Sequence, residues 1–407
     1  MIGYHSQVCC CMSDKLDVKQ KKLAVYNSHV VNESNLMTIP IFSLKRKKKI
    51  TVDGQSFYKD TMLSYTWKRG DAEVGLRVVG SSKSGCPTIH ELEVYLGLMK
   101  LATRSQNNLL LFEDGKVSNF PRKIYFTYRE LAKVLGYSGF GKKTKESLEN
   151  AIQCMNETTI YSDFALRNQE SKDYVADFNG SESFRLLENY CAYSVTRFKK
   201  ANKSLLSSRD VKEYQSVELG EFFYKNLCNG YLKLLNFDLF LQLTRGMAKK
   251  LMLLLTQWSH GSEKVLKVAT IYSHLGVQAS TSSDKATSKR ELKLSLTELV
   301  DHRFLADFRF LDRETLLIKF PESTTATKKL MAKYTTEIEV VVRLREIGFE
   351  YEEIGKYCTK ENLGYVAALL RYTDYRQGTT SIDHLKAFVL KGLVNENYDV
   401  KEFLSHE

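Results

Sequence analysis

The chain has 407 residues, 43% of them hydrophobic, only four prolines, and a formal net charge of +12. That length allows two or three domains with cores of their own, and no apolar run approaches the ~20 residues that cross a bilayer, so no membrane anchor is expected. Eight cysteines, three of them consecutive at Cys9, Cys10 and Cys11 and none in a C-x-x-C pair, fit neither a disulfide framework nor a zinc site.

Residues 1–33 lack the basic start and apolar centre of a secretory signal and read as a disordered leader. Next, "NLMTIPIFSLKRKKKITVDG" reads as two short strands around the basic run Lys45, Arg46, Lys47, Lys48 and Lys49. That run is either an arm on phosphates or a solvated linker.

A first supersecondary unit opens at "CPTIHELEVYLGLMKLA", where Thr88 and Glu91 have capping-box spacing and Ile89, Leu92, Leu96 and Met99 share one helical stripe. A second capping pair, Thr127 and Glu130, starts a short helix that buries Leu131, Val134 and Leu135 and ends at Gly136. The longer helix after the glycine turn places Leu148, Ala151, Ile152 and Met155 at i, i+3, i+4 and i+7, a stripe that must face a core. "TTIYSDFAL" and "YCAYSVTRF" then alternate as two strands, expected to form a hairpin around a long polar loop.

"SVELGEFFYKNLCNGYLKLLNFDLFLQL" reads as strand, helix and strand, and the first unit's order then recurs: "TRGMAKKLMLLLTQW", a short helix ending at Gly276, a long helix with Leu292, Leu296 and Leu299 inward, and a hairpin turning at Asp312 and Arg313. A shift of 144 superposes Leu148, Ile152, Met155 and Ile160 on Leu292, Leu296, Leu299 and Phe304. The repeated order is that of a winged helix-turn-helix, so the expectation is an α+β chain: two such domains in tandem and a small helical C-terminal segment. The expected divisions are a leader 1–33, a first domain 34–215 including the basic strands, a second domain 216–321, a linker 322–336, and a helical tail 337–407. That tail carries nine Lys or Arg against thirteen Asp or Glu, which leaves +16 on the rest. A basic body favours a polyanionic partner, most often nucleic acid, and an acidic tail favours a protein.

Gly136, Gly141 and Lys142 match seven of the eight positions of a phosphate-binding P-loop. A P-loop needs a preceding strand and a following Ser or Thr. Here a helix is expected before the turn, and Lys143 occupies the eighth position. The same residues serve a helix-turn-helix, with Lys142, Lys143, Lys145, Glu146 and Asn150 as the DNA-binding candidates of the first long helix. Lysine suits phosphate or guanine, glutamate the cytosine amino group and asparagine adenine. The second helix offers Lys285, Thr287, Lys289, Arg290 and Lys293, with Glu291 nearby and Leu294 on the same side. Arg167, Lys172 and Arg185 on the first hairpin, and Arg309 and Arg313 on the second, are candidate wing contacts. Each of these residues also suits an ordinary solvated surface.

No histidine pair, H-E-x-x-H, G-x-S-x-G or EF-hand loop appears. No catalytic residue, metal or cofactor is assigned, and the chain is not expected to be an enzyme.

The segments "IPIFSLKRKK", "GCPTIHELEVYLGLMKLA", "ELAKVLGY" and "GEFFYKNLCNGYLKLLNFDLF", in that order, resemble the plasmid replication initiators of the replication initiator protein A type, across roughly residues 34–320. The resemblance implies tandem winged-helix domains that bind directly repeated origin sites in double-stranded DNA, deform the duplex and help recruit host replication proteins. It also implies a homodimer in many relatives and a bacterial cytoplasmic location. The tail 337–407 is the candidate docking site for a host replicative helicase or its loader. A winged-helix transcriptional regulator is the alternative reading.

Overall fold

The computed structural model describes residues 21–25, 27–53, 55–176, 182–192, 215–259, 262–321, 340, 343–344, 346–357, 362–379 and 384–395. It is an α+β arrangement in which the strand ladders are antiparallel. The cysteine triplet and the expected linker lie outside the described residues.

The first strands, β1 (Lys21–Ala24) and β2 (His29–Glu33), fall inside the stretch expected to be a disordered leader and correct that expectation. The physical reason is apolar content: Val30 and Val31 are fully buried, and β2 pairs with the distant segment Leu232–Asn236. The strand expected before the basic run is also absent. In its place stand one helical turn, α1 (Asn35–Thr38), and a buried segment in which Ile39, Ile41 and Phe42 fill the core. After the run, β3 (Lys49–Val52) and β4 (Gln55–Tyr58) form a small hairpin, followed by a longer one, β5 (Met62–Arg69) and β6 (Ala72–Val79).

Helix α2 (Ile89–Ser105) begins as its sequence dictates, with the Thr88 N–H and hydroxyl both donating to the Glu91 carboxylate at 2.7 Å. Its glycine has a steric reason: a Cβ at Gly97 would lie 2.9 Å from the Leu131 side chain. A hairpin of β7 (Leu109–Glu113) and β8 (Lys116–Val117) leads to β9 (Lys123–Phe126) and α3 (Tyr128–Val134). Thr127 Oγ1 caps α3 by accepting from Glu130 N at 3.1 Å, and Gly136, at φ +74°, ends it as expected. The long helix α4 (Lys142–Glu157) buries Leu148, Ala151, Ile152 and Met155 completely or nearly so.

The hairpin expected after α4 is not formed by the described parts of the two strands assigned to it, residues 193–198 of the second lying outside the described residues. β10 (Thr159–Asp163) pairs with β6 and with β13 (Phe184–Arg185), while the polar stretch between them makes its own small ladder of β11 (Arg167–Asn168) and β12 (Asp173–Tyr174). β14 (Leu187–Ala192) pairs instead with β15 (Gln215–Leu219), which pairs in turn with β9. The reason lies in β15: Gln215, Ser216, Val217 and Leu219 are all buried, so both of its faces are covered and it takes the centre of the sheet. The division drawn at residue 215 falls on the first residue of this strand.

After α5 (Glu221–Cys228), β16 (Leu232–Asn236) and α6 (Phe237–Gln242), the second unit repeats the first. It consists of α7 (Gly246–Trp258), β17 (Glu263–Lys267), α8 (Val268–Leu275), α9 (Ser282–Asp301), β18 (Asp307–Phe310) and β19 (Thr315–Lys319). Gly276 ends α8 at φ +71°. In both units the strand before the short helix lies at one edge, and the last strand of the unit lies in the middle, giving β14-β15-β9 and β17-β19-β18. Leu292, Leu296 and Leu299 are fully buried, matching their counterparts in α4. One apolar core joins both units, whereas a separate cluster from Val340 to Val389 lies under α10 (Tyr351–Tyr357), α11 (Leu363–Thr379) and α12 (Leu385–Asn395).

Candidate nucleic-acid interface

The side of α4 opposite its buried stripe carries exposed Lys142, Lys143, Glu146 and Asn150. Lys142 and Glu146 approach to 3.8 Å, but with side chains 89% and 54% exposed the pair adds little stability. Lys145 is half-buried, its ammonium 5.7 Å from the centre of the Tyr128 ring. The N-terminus of α4 has no side-chain cap on Gly141 and no acidic residue in its first turn. Free N–H groups, the positive end of the helix dipole and three lysines therefore coincide there. Arg129, which sequence reasoning missed, stands 5.6 Å over the Phe140 ring beside this end, and with Lys145, Tyr128 and Gln215 lines a cavity of about 450 Å³.

Helix α9 differs at its start. Thr281 Oγ1 accepts from Asp284 N at 3.1 Å while the Asp284 carboxylate accepts from Thr281 N at 3.2 Å, a reciprocal capping box that satisfies the Asp284 and Thr281 N–H groups and places a carboxylate in the first turn. Hydrogen bonds from the Thr281 side chain and then from its main chain hold the Asp284 carboxyl below its ordinary range. Lys285, Thr287, Arg290 and Lys293 are exposed, and Lys289 is half-buried with its ammonium 5.2 Å over the Phe310 ring of β18. Glu291 is engaged by Arg245 at 3.1 Å, and Leu294 is 36% exposed. Thr287 and Glu291 line a cleft of about 630 Å³ that Lys45, Arg46 and Lys47 also line.

The basic run divides. Lys45, Arg46, Lys48 and Lys49 are exposed, whereas Lys47 turns inward, its Nζ 2.7 Å from Glu91 Oε1, 2.9 Å from Ser84 O and 3.2 Å from Cys154 Sγ. Burial alone would raise the Glu91 carboxyl; the Lys47 ammonium and the Thr88 hydrogen bonds outweigh it and hold the group low. Lys47 is thus part of the start of α2, not of an arm.

Of the wing candidates, Arg309 and Arg313 lie exposed on β18 and at the turn that follows it. The turn is held by Asp312 Oδ1, which accepts from Glu314 N at 2.7 Å and Thr315 N at 2.8 Å. Arg167, Lys172 and Arg185 are not on the β14–β15 hairpin that corresponds to it, a correction that follows from the changed pairing. Arg167 is half-buried, and its main chain is bound by the side chains of Asn35 and Asn226. Within the glycine turn only Gly136 adopts a left-handed φ; Gly139 and Gly141 do not, and a Cβ on either would meet open space. The segment before the turn is a helix, not the strand that a P-loop needs.

Among solved structures, the chain is similar to domains 2 and 3 of RctB. A selenomethionine crystal structure matches at 12% identity and TM-score 0.43, covering 70% of this chain and 98% of that one. A second RctB structure matches at 11% identity and TM-score 0.39, covering 70% and 95%. No curated protein matches. The family model of replication initiator protein A matches residues 31–309, from β2 through β18, and by that match the chain belongs to the replication initiator protein A family.

Proposed function

We propose that this initiator binds repeated origin sites in double-stranded DNA through two winged-helix units, one built on α3 and α4 and the other on α8 and α9. The observation that carries the reading is the repeated order of edge strand, short helix, turn, long helix and hairpin, with an apolar stripe buried and a cationic side exposed on each long helix. In such a unit the second helix of the pair enters the major groove. Lys142, Lys143 and Lys145 at the uncapped start of α4 neutralise phosphates, and Glu146 and Asn150 face base edges. Lys285, Thr287, Lys289, Arg290 and Lys293 serve the second unit, with Lys289 linked to the wing through Phe310.

The action is binding and deformation of the duplex, without covalent chemistry or a cofactor. The plasmid origin, the bacterial cytoplasm and a homodimeric form belong to the same reading, as does capture of a host helicase or loader by residues 337–407. The last is supported by the tail's excess of acidic residues and its separate apolar cluster.

Fluorescence anisotropy on the gene's upstream DNA across a salt series tests this. Lys143→Ala is expected to weaken binding to all sequences and flatten the slope of log K against log salt by about 0.9. Asn150→Ala is expected to cost ~1 to 3 kcal/mol at one base position only. A wild-type protein that shows no preference for its own upstream repeats over random DNA contradicts the proposal.

A further inference from the structure

Between the two helix pairs lies a junction that neither outward face uses. Lys250, in the middle of α7, is buried, and its Nζ donates to two main-chain carbonyls: Phe42 O at 2.9 Å, from the segment before the basic run, and Leu275 O at 2.8 Å, at the C-terminus of α8. One residue before Leu275, the His274 ring donates from Nδ1 to Thr38 O at 2.6 Å, and it lies between Trp258 of α7 and Trp67 of β5. Gln278 in the turn between α8 and α9 donates to Ser64 O of β5 at 2.8 Å. Contact here is close enough that a Cβ on Gly276 would fall 2.8 Å from Pro40 and 2.9 Å from Tyr65.

All three hydrogen-bonding side chains come from the second unit, and all their acceptors outside it are backbone carbonyls of residues 38–64. Their direction therefore fixes where the α8–α9 turn sits against the first unit. An ammonium suits the Leu275 carbonyl because the negative end of the α8 dipole points at it. Among the described residues no carboxylate is hydrogen-bonded to Lys250, and the two carbonyls offset its burial. An apolar residue would fill this place at lower desolvation cost, and what lysine adds is a directional tie between two separate segments.

We propose that Lys250, seconded by His274 and Gln278, is a positioning residue that locks the second helix pair to the first unit, so that α4 and α9 meet DNA at one fixed separation and rotation. This rests on the DNA-binding reading above for its consequence, but not for its mechanics. Two modules held rigidly bind as one only when both sites are in register; misplacing the second site forfeits the gain from linking them, typically ~100-fold or more. Loosening the junction lowers affinity for the natural spacing and lowers the penalty for a wrong one.

The mechanical part is read by spin labels on unnatural amino acids at positions 150 and 290, both exposed, in the full chain; the eight native cysteines make thiol labelling unsuitable. Double electron–electron resonance should give one narrow distance distribution for wild type and a broad one for Lys250→Met. Gln278→Ala, at an exposed position, serves as a milder variant should Lys250→Met not fold, with a smaller broadening expected. The functional part uses origin DNA with 5 or 10 base pairs inserted between the two protected segments. Wild type should lose ~100-fold affinity on the half-turn insertion, the variants distinctly less, while a probe carrying the first segment alone binds all proteins equally. Narrow distributions in every variant, or an unchanged insertion penalty, overturn the proposal. Failure of wild type to bind any origin segment overturns the DNA-binding reading instead, and the distances then decide the junction alone.

Discussion

Glu33 is fully buried, and its carboxyl accepts from Asn35 Nδ2 at 2.8 Å, Asn226 Nδ2 at 3.2 Å and Leu36 N at 3.1 Å. Burial outweighs these donors and the Asn35 main chain, and pushes its pKa from 4.5 up to about 8. Between those values the unfolded chain has lost the proton that the folded chain keeps, so stability falls as pH rises, at no more than ~1.4 kcal/mol per pH unit. Lys250 acts in the opposite direction: burial lowers it from 10.5 to about 7. Over that window the unfolded chain binds the extra proton, and stability rises with pH. Urea unfolding across pH should therefore show the acid-side fall flattened in Glu33→Gln and the alkaline-side rise flattened in Lys250→Met; identical pH profiles for wild type and both variants would contradict these assignments. At this scale the sequence was partly legible. Lys142, Lys143, Glu146 and Asn150 declare themselves by lying opposite a regular apolar stripe, and all four are exposed. Lys47, Glu33 and Lys250 gave no signal, because a lysine or glutamate in a run or an amphipathic segment shows its partners only when distant parts of the chain meet.

Among the elements, helices were the readable part, since their signals are local. The capping pairs Thr88 and Glu91 and Thr127 and Glu130 form, and Gly136 and Gly276 stop the short helices in left-handed conformations. Thr127→Ala should cost ~1 kcal/mol in thermal or denaturant unfolding. Leu148→Ala and Leu296→Ala, which empty fully buried sites at equivalent places in the two long helices, should each cost ~2 to 5 kcal/mol. A cost below 1 kcal/mol for either leucine would mean that its helix does not face a core. Strands were less readable, because pairing is decided by distant partners. The central place of β15 depends on both of its faces being covered, and the order of its neighbours is not written within its five residues. Some signals were present and unused: Gly70 and Asp71 between two alternating eight-residue strands, and Asp114 and Gly115, both at positive φ between β7 and β8, mark two-residue hairpin turns.

At the scale of the molecule, among the described residues one apolar core joins the two units and another serves the C-terminal helices. Deleting residues 337–407 should leave origin affinity within about twofold, by the near-additivity of sites without shared partners, while abolishing capture of a helicase or loader in a pull-down. Retention of capture would remove the tail from that role. The tandem order was visible in the sequence through the 144-residue shift, whereas the junction that fixes one unit against the other was not, because Thr38, Phe42 and Ser64 take part through main-chain carbonyls that carry no residue signature. The most direct measurement of the central claim is hydroxyl-radical footprinting of wild type, Lys143→Ala and Arg290→Ala on the gene's upstream DNA. Two protected segments are predicted, one weakened by each variant and the other retained. A single footprint that neither substitution alters would contradict the account of two DNA-reading helices in one initiator.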